Sequence, residues 1–299
     1  MALKIIAASE AMTIDHITLT LYGAPGLGKS SLAFTADKPL MLDFDKGSYR
    51  AQNRKDSVVV QKWADVAQMT AEDLAPYNTL IVDTAGRALD AISMDIIAGN
   101  PKMGRGGSLS LQGYGELKSR FAAWQNFIRS LGKDLVLICH MQEDKNGDDL
   151  IERIDAQGAS KNEIYKSSDA MARLFVQPDG TRALNFDPRE GGFGKNPAQL
   201  PKMAFPHPDK NPHYLADVIA QIKGSINKMT SEQAEATQKA EQWTAVMGEN
   251  DTLDLFNSNI VPLMKEGNHG KEFTTFAAEE AKRRGYKADK KSGLYTEAA

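Results

Sequence analysis

With one cysteine, Cys139, in 299 residues, the chain excludes an internal disulfide and a cysteine-based zinc cluster, and its makeup fits a reducing environment. No apolar run approaches the roughly 18 to 20 residues of a membrane span, and the N-terminus lacks the basic and apolar segments of a secretory signal. The expected location is therefore the cytoplasm, with no membrane partner. Charge of one sign is also lacking: 36 Lys and Arg stand against 39 Asp and Glu, a formal net charge of −3. The molecule as a whole is no polycation, so any nucleic-acid contact has to come from local basic loops. What remains, 41% hydrophobic and 25% charged residues, suits one large domain or two unequal ones.

Against these absences stands one complete motif, Gly23-Ala24-Pro25-Gly26-Leu27-Gly28-Lys29-Ser30, a Walker A phosphate loop. The apolar and β-branched run 17–22 precedes it and Ser31-Leu32-Ala33-Phe34 follows, giving strand, loop and helix in the order the motif needs. The backbone N–H groups between Gly23 and Lys29 are expected to face phosphates, helped by the positive end of a helix dipole. Lys29 is expected to reach the β- and γ-phosphates, Ser31 to flank them, and the Ser30 hydroxyl to hold Mg²⁺. The chain therefore reads as a nucleoside triphosphate binder.

The first two thirds alternate short apolar strands with helical stretches, the pattern of an α/β fold with a mainly parallel sheet. Strands are predicted at 17–22, 40–44, 79–82 and 135–139, all continuous apolar runs of the kind covered on both faces. A hairpin is predicted from 171–177 and 182–187, joined by Pro178-Asp179-Gly180. Two long segments read as loops. One is the glycine-rich stretch Gly99 to Gly115, and the other runs from Met141 to about Ser168. Beyond Met229 the composition turns polar, with helices predicted at 231–247, 252–265 and 271–284. The expected division is 1–228 for the core and 229–299 for a small helical region with a basic tail: Lys282, Arg283, Arg284, Lys287, Lys290 and Lys291, interleaved with Tyr286 and Tyr295. That tail reads either as a solvated end or as a surface for DNA phosphates or a recombination or replication partner.

Asp83 ends the strand Thr79 to Val82, the Walker B pattern, where a carboxylate at the sheet edge orients Mg²⁺ or its waters. Thr84 follows it, so no glutamate is adjacent to activate water. Asp43 and Asp45, at the end of the next strand after the phosphate loop, supply acids instead. Strand alternation is expected to put both on one side, with Asp45 nearer the γ-phosphate; Asp43 reads equally well as an acid solvating a strand end. His140, at the tip of the fourth strand, is placed to sense the γ-phosphate. Asp83-Thr84-Ala85-Gly86 also fits the DxxG pattern of GTPases. The guanine-reading Asn/Thr-Lys-x-Asp is missing from its place at Cys139-His140-Met141-Gln142, so adenine is the expected base.

In this order of residues the chain resembles the RecA/RadA recombinase core: Walker A at Lys29 and Ser30, an acid at Asp45, Walker B at Asp83 with Thr84, and a polar sensor at His140. The family's acid is usually Glu, so Asp45 is a departure. Gly194-Lys195-Asn196-Pro197 is similar to the Lys-Asn-Arg motif of RadA-like proteins, without its Arg; there the lysine reaches a neighbouring subunit's nucleotide. More narrowly, residues 14–225 look like the compact RecA-like ATPases of phages that accompany single-strand annealing and recombination. The resemblance implies a RecA-like P-loop core, ATP and Mg²⁺, DNA-stimulated hydrolysis, and assembly into a ring or filament with nucleotide between subunits. It also implies single-stranded DNA on the loops after the third and fourth strands. Lys102, Arg105, Lys145, Lys161 and Lys166 are placed there for phosphates and Tyr114 or Tyr165 for stacking; ordinary solvated loops are the other reading. A RecA-type motor, helicase or packaging ATPase, and a nucleotide-gated scaffold with negligible turnover are the competing functions.

Overall fold

The computed structural model describes residues 3, 5–146, 149–156, 160–188, 193–266 and 270–297, without the side chains of 144–146, 149–151, 160 and 161. The chain forms two compact units, Ile14–Asn227 and a second made of Met1–Thr13 with Lys228–Ala299. The first thirteen residues, grouped with the core by sequence, thus belong to the second unit.

In the first unit, β1 (Thr18–Gly23) runs through the phosphate loop into α1 (Lys29–Ala33). Then come β2 (Pro39–Asp43), β3 (Ser57–Val59), the short helices α2 (Ala64–Ala67) and α3 (Ala71–Leu74), β4 (Thr79–Asp83) and α4 (Ala85–Gly99). A small hairpin of β5 (Gly104–Arg105) and β6 (Ser108–Leu109) leads to α5 (Leu111–Ser130), β7 (Asp134–Asn146) and β8 (Asp149–Ile154). The unit continues with α6 (Ser160–Ser167), β9 (Ala170–Val176), β10 (Arg182–Asn185), β11 (Met203–Ala204) and the first turns of α7 (Tyr214–Glu249).

The sheet order is β11-β10-β9-β1-β7-β4-β2-β3, parallel from β9 to β3 and antiparallel at β9-β10-β11. The expected α/β class holds: a P-loop core on a mainly parallel sheet, with a helical C-terminal region. Strand periodicity builds two apolar layers. Leu135, Leu137 and Cys139 of β7 pack with Ile92 of α4 and Phe121, Trp124 and Ile128 of α5. Val136 and Ile138 pack on the other face with Leu32 of α1 and Leu215, Val218, Ile219 and Ile222 of α7. Full burial pushes the Cys139 thiol up to about 12, so it stays a protonated packing group.

Both predicted loops are largely regular structure. Between Gly99 and Gly115 lie β5, β6 and the start of α5, with Gly113 and Gly115 inside the helix. Ser110 caps α5 by accepting the Gly113 N–H at 3.2 Å. Gly113 is required for close packing rather than for looseness, because a Cβ there would lie 2.6 Å from the Met103 carbonyl oxygen. The second segment is an extension of β7 paired antiparallel with β8, from Met141 opposite Ile154 to Asn146 opposite Asp149, followed by α6. Its polar residues are tolerated because, past Met141, β7 pairs with β8 alone.

In the second unit, the later turns of α7 are followed by α8 (Leu253–Leu255), a π-turn at Phe256–Ile260, α9 (Val261–Glu266) and α10 (Gly270–Arg283). The unit closes with a hairpin, β12 (Tyr286–Ala288) and β13 (Tyr295–Glu297), that the sequence did not suggest. Its core is Met247, Phe256, Ile260, Val261, Phe273, Ala277 and Ala281. Tyr286 and Tyr295 both make T-shaped contacts with Phe256, so these tyrosines of the basic tail pack, partly buried, against that core. Arg284 also turns inward, donating to the Asn250 and Met247 carbonyls at 2.8 Å and to Glu280.

Burial pushes Glu280 up, but hydrogen bonds from Arg284 and Arg283 outweigh it and hold the carboxyl below the usual glutamate range. A depressed carboxyl stabilises the fold above its unfolded value, about 4.3, and that contribution is lost as pH falls through the lower folded value. Glu280→Gln is therefore expected to destabilise the chain by about 1–3 kcal/mol at neutral pH, with the deficit shrinking toward pH 3. Thermal denaturation of both proteins across that range checks it; a deficit unchanged at pH 3 would count against the ion pair.

Candidate functional site

Register places the site. Gly23 of β1 lies opposite His140 of β7, Ile138 opposite Asp83 of β4, and Asp83 opposite Asp43 of β2. Four chemistry-bearing strand ends thus share the carboxyl edge of a parallel sheet, where such folds bind ligands. They open into a cavity of about 660 Å³ whose lining includes Pro25, Gly26, Gly28, Lys29, Ser30, Ser31, Asp45, Asp83 and His140.

Gly26 and Gly28 have φ of 82° and 83°, the left-handed conformation that winds the loop and that side chains resist. Gly23 has no room for a Cβ, which would sit 2.6 Å from the Leu174 carbonyl oxygen. Of the other loop residues, Leu27 packs against the core, and Ala24, like Gly23, presents its carbonyl to Lys29. Helix α1 has only five residues, so an anion held here would rely on the loop amides more than on a long helix dipole.

The Lys29 ammonium folds back and donates to the Gly23 and Ala24 carbonyl oxygens at 2.9 Å each. It is 6% exposed, and burial lowers its pKa, opposed by Asp83. The Ser30 hydroxyl donates to Asp83 Oδ2 at 2.5 Å. Burial pushes Asp83 up to about 6 against that hydrogen bond, with Asp43 and Asp45 adding to the rise. An adjacent hydroxyl and buried carboxylate fit a hard divalent cation such as Mg²⁺.

The two acids of the second strand part company. Strand β2 stops at Asp43, whose buried carboxylate accepts the Gly47 and Ser48 N–H groups at 3.0 and 2.9 Å; its role is to hold the turn. Asp45, beyond the strand end, lines the cavity and stands 3.7 Å from Arg50, 3.9 Å from Arg87 and 4.0 Å from His140 Nε2. His140 is half-buried, and burial together with Lys29 lowers its pKa, opposed by Asp45, so the ring is neutral near pH 7. Its Nδ1 is buried without a hydrogen-bond partner.

Sequence reasoning missed Arg182. Opening β10, it donates to the Leu27 carbonyl oxygen at 3.4 Å and lies 5.2 Å over the Phe205 ring. A Cβ on Gly28 would meet its Nη1 at 2.6 Å. His207 and Pro208 join it on the cavity wall. A lone arginine at a strand start carries no motif; only the antiparallel addition of β10 brings it to the phosphate loop.

The remaining predicted residues lie elsewhere. Lys102, Arg105 and Lys166 are exposed, and Tyr114 is half-buried against the core. The side chains of Lys145, on β7, and Lys161, on α6, lie outside the described residues. Tyr165 packs on Phe193 at 5.1 Å, and the Lys195 ammonium sits 4.6 Å over the Tyr165 ring while donating to the Ser168 carbonyl at 2.7 Å.

A glycine-wound phosphate loop closing β1, an acid ending β4 and a strand inserted between them define a P-loop ATPase. The chain belongs to the AAA domain family, whose model matches residues 15–198, and that membership implies ATP binding. Solved structures similar to it include an ATPase from the type III secretion system of pathogenic bacteria, 13% identical with a TM-score of 0.34, over 55% of this chain and 52% of that one. Another is a KaiC-like protein from the hyperthermophilic archaeon Pyrococcus horikoshii OT3, 10% identical with a TM-score of 0.36, over 68% and 96% of the two chains. The chain spans about half the length of the first of these. Comparison with curated proteins returned no match. No described helix is long and apolar enough to cross a membrane.

Proposed function

We propose that the protein is a recombination-type ATPase that binds single-stranded DNA and assembles, as a ring or filament, with ATP between subunits. One observation carries the reading: His140 and the β7–β8 hairpin share one continuous strand. Occupancy of the phosphate site therefore has a direct covalent and hydrogen-bonded route to an element projecting past the sheet. On this reading that hairpin and the exposed Lys102 and Arg105, before and within β5, contact DNA phosphates, with the exposed Lys166 adding charge.

In the chemistry proposed, the loop amides and Lys29 hold the β- and γ-phosphates and stabilise charge as water attacks in line. Ser30 and Asp83 would hold Mg²⁺, which would supply neutralisation of the phosphate charge. Asp45 orients the water, and neutral His140 hydrogen-bonds near the γ-phosphate and registers its loss. Arg182, His207 and Pro208 line the same cavity as the phosphate loop and border the bound nucleotide on this reading. Release of Lys195 from Ser168 is what a reach toward a neighbouring subunit requires.

The test measures phosphate release and nucleotide-dependent DNA binding, with and without single-stranded DNA. The expected result is DNA binding that depends on ATP and turnover that rises with DNA; Arg182→Ala weakens ATP binding about tenfold, roughly one charged contact. No DNA binding in any nucleotide state sinks the recombination reading, and strand unwinding moves it to a motor. The clasp of Asp45 by two arginines favours the second reading, a nucleotide-gated scaffold, and binding without turnover would establish it.

A further inference from the structure

We propose that the second unit carries a binding face for the phosphate backbone of duplex DNA, formed by the β12–β13 hairpin with the neighbouring ends of α9 and α10. The face stands apart from the single-strand reading above, since it uses none of the same residues. Lys265, Lys282, Arg283, Lys287, Lys290 and Lys291 are all exposed. They come from three elements that converge: a Cβ on Gly293, in the hairpin turn, would lie 3.3 Å from the Lys265 ammonium.

The cations are held on a rigid support. The Asp289 carboxylate accepts the Lys291 N–H at 2.9 Å and the Ser292 hydroxyl at 2.8 Å, so the acid in the turn is spent on shaping it. Asn257 grips β13 from the core side, accepting the Tyr295 N–H at 2.7 Å and donating to the Tyr295 carbonyl at 2.9 Å. Glu280 is engaged by Arg284 and Arg283. Glu266, Glu272, Glu279 and Glu297 remain as exposed acids, which sets the face at a moderate rather than strong positive potential.

The chemistry favours a duplex over a single strand. Single-strand sites pair a basic groove with aromatic platforms on which bases stack. Here Tyr286 and Tyr295 are partly buried in T-shaped contact with Phe256, and the Tyr286 hydroxyl also donates to the Asp251 carbonyl at 3.1 Å, so neither is an open platform for successive bases. A preset array of cations suits the dense, regular charge of a duplex, about one phosphate per 1.7 Å of helix axis.

The experiment follows fluorescence anisotropy of a labelled 30-base-pair duplex with the full chain across a salt series, in parallel with a single strand of the same sequence. For Lys287→Ala/Lys290→Ala/Lys291→Ala the expected result is at least a tenfold loss of duplex affinity and a salt slope shallower by about three, roughly one per phosphate contact. ATP and single-strand binding stay at native levels, and the corresponding triple Arg variant retains duplex binding, which separates lost charge from lost folding. A native chain that ignores duplex, or a triple Ala variant with native affinity and slope, overturns the proposal. So does an equal loss on single strands. Displacement of the duplex by polyglutamate at matched charge also overturns it and assigns the face to an acidic protein.

Discussion

Lys29→Ala is expected to lower ATP affinity by one to two orders of magnitude and to abolish measurable turnover. The ammonium is buried and donates to the Gly23 and Ala24 carbonyls, so meeting a phosphate exchanges those two neutral acceptors for a charged one inside a loop that is already wound. A charged hydrogen bond at such a site is worth about 1.5–3 kcal/mol, and at about 1.4 kcal/mol per decade this gives the range stated. Loss of the ammonium also strips a donor from two loop carbonyls, so a modest fall in thermal stability accompanies the change. Nucleotide titration by anisotropy measures the first effect, and near-native affinity would mean that this loop does not hold the triphosphate.

Asp45→Asn separates turnover from binding. Asparagine keeps the shape and removes the base, so turnover is expected to fall by about 10² to 10⁴, while ATP affinity changes less than about threefold because the Lys29, Ser30 and Asp83 contacts remain. The pairs with Arg50, Arg87 and His140 are 3.7 to 4.0 Å long and partly exposed, worth about 1 kcal/mol or less each, so folding is not at stake. Turnover insensitive to this substitution would remove Asp45 from the chemistry and leave the scaffold reading.

The phosphate loop and Asp83 were legible because each closes a continuous apolar run, and such strands of a parallel sheet meet at one edge; Asp45 lies two residues past the end of β2, and His140 follows the apolar part of β7 while that strand runs on to Asn146. The hairpin of β9 and β10 was visible in its Pro-Asp-Gly turn. The hidden parts have physical reasons. The far half of β7 is polar and β8 mixes Leu150, Ile151 and Ile154 with acids and Arg153, so no continuous apolar run marks them. Gly113 and Gly115 looked like loop composition until close packing against Met103 explained the first of them. Asp43 was separated from Asp45 by the strand stopping two residues earlier than alternation requires. Arg182 and the β12–β13 hairpin had no local signature, since each takes its place through contacts far along the chain.

The thirteen residues of β7 span two regimes of local stability. From Leu135 to Cys139 every side chain is fully buried and both neighbours, β1 and β4, are themselves core strands. Amides there exchange with solvent only when the whole unit unfolds. Beyond Met141 a single partner strand supplies the hydrogen bonds, and opening needs only that pairing to fray. His140 sits where the two regimes meet, so ordering of the outer half by a bound ligand is paid in conformational entropy at the border of the phosphate site.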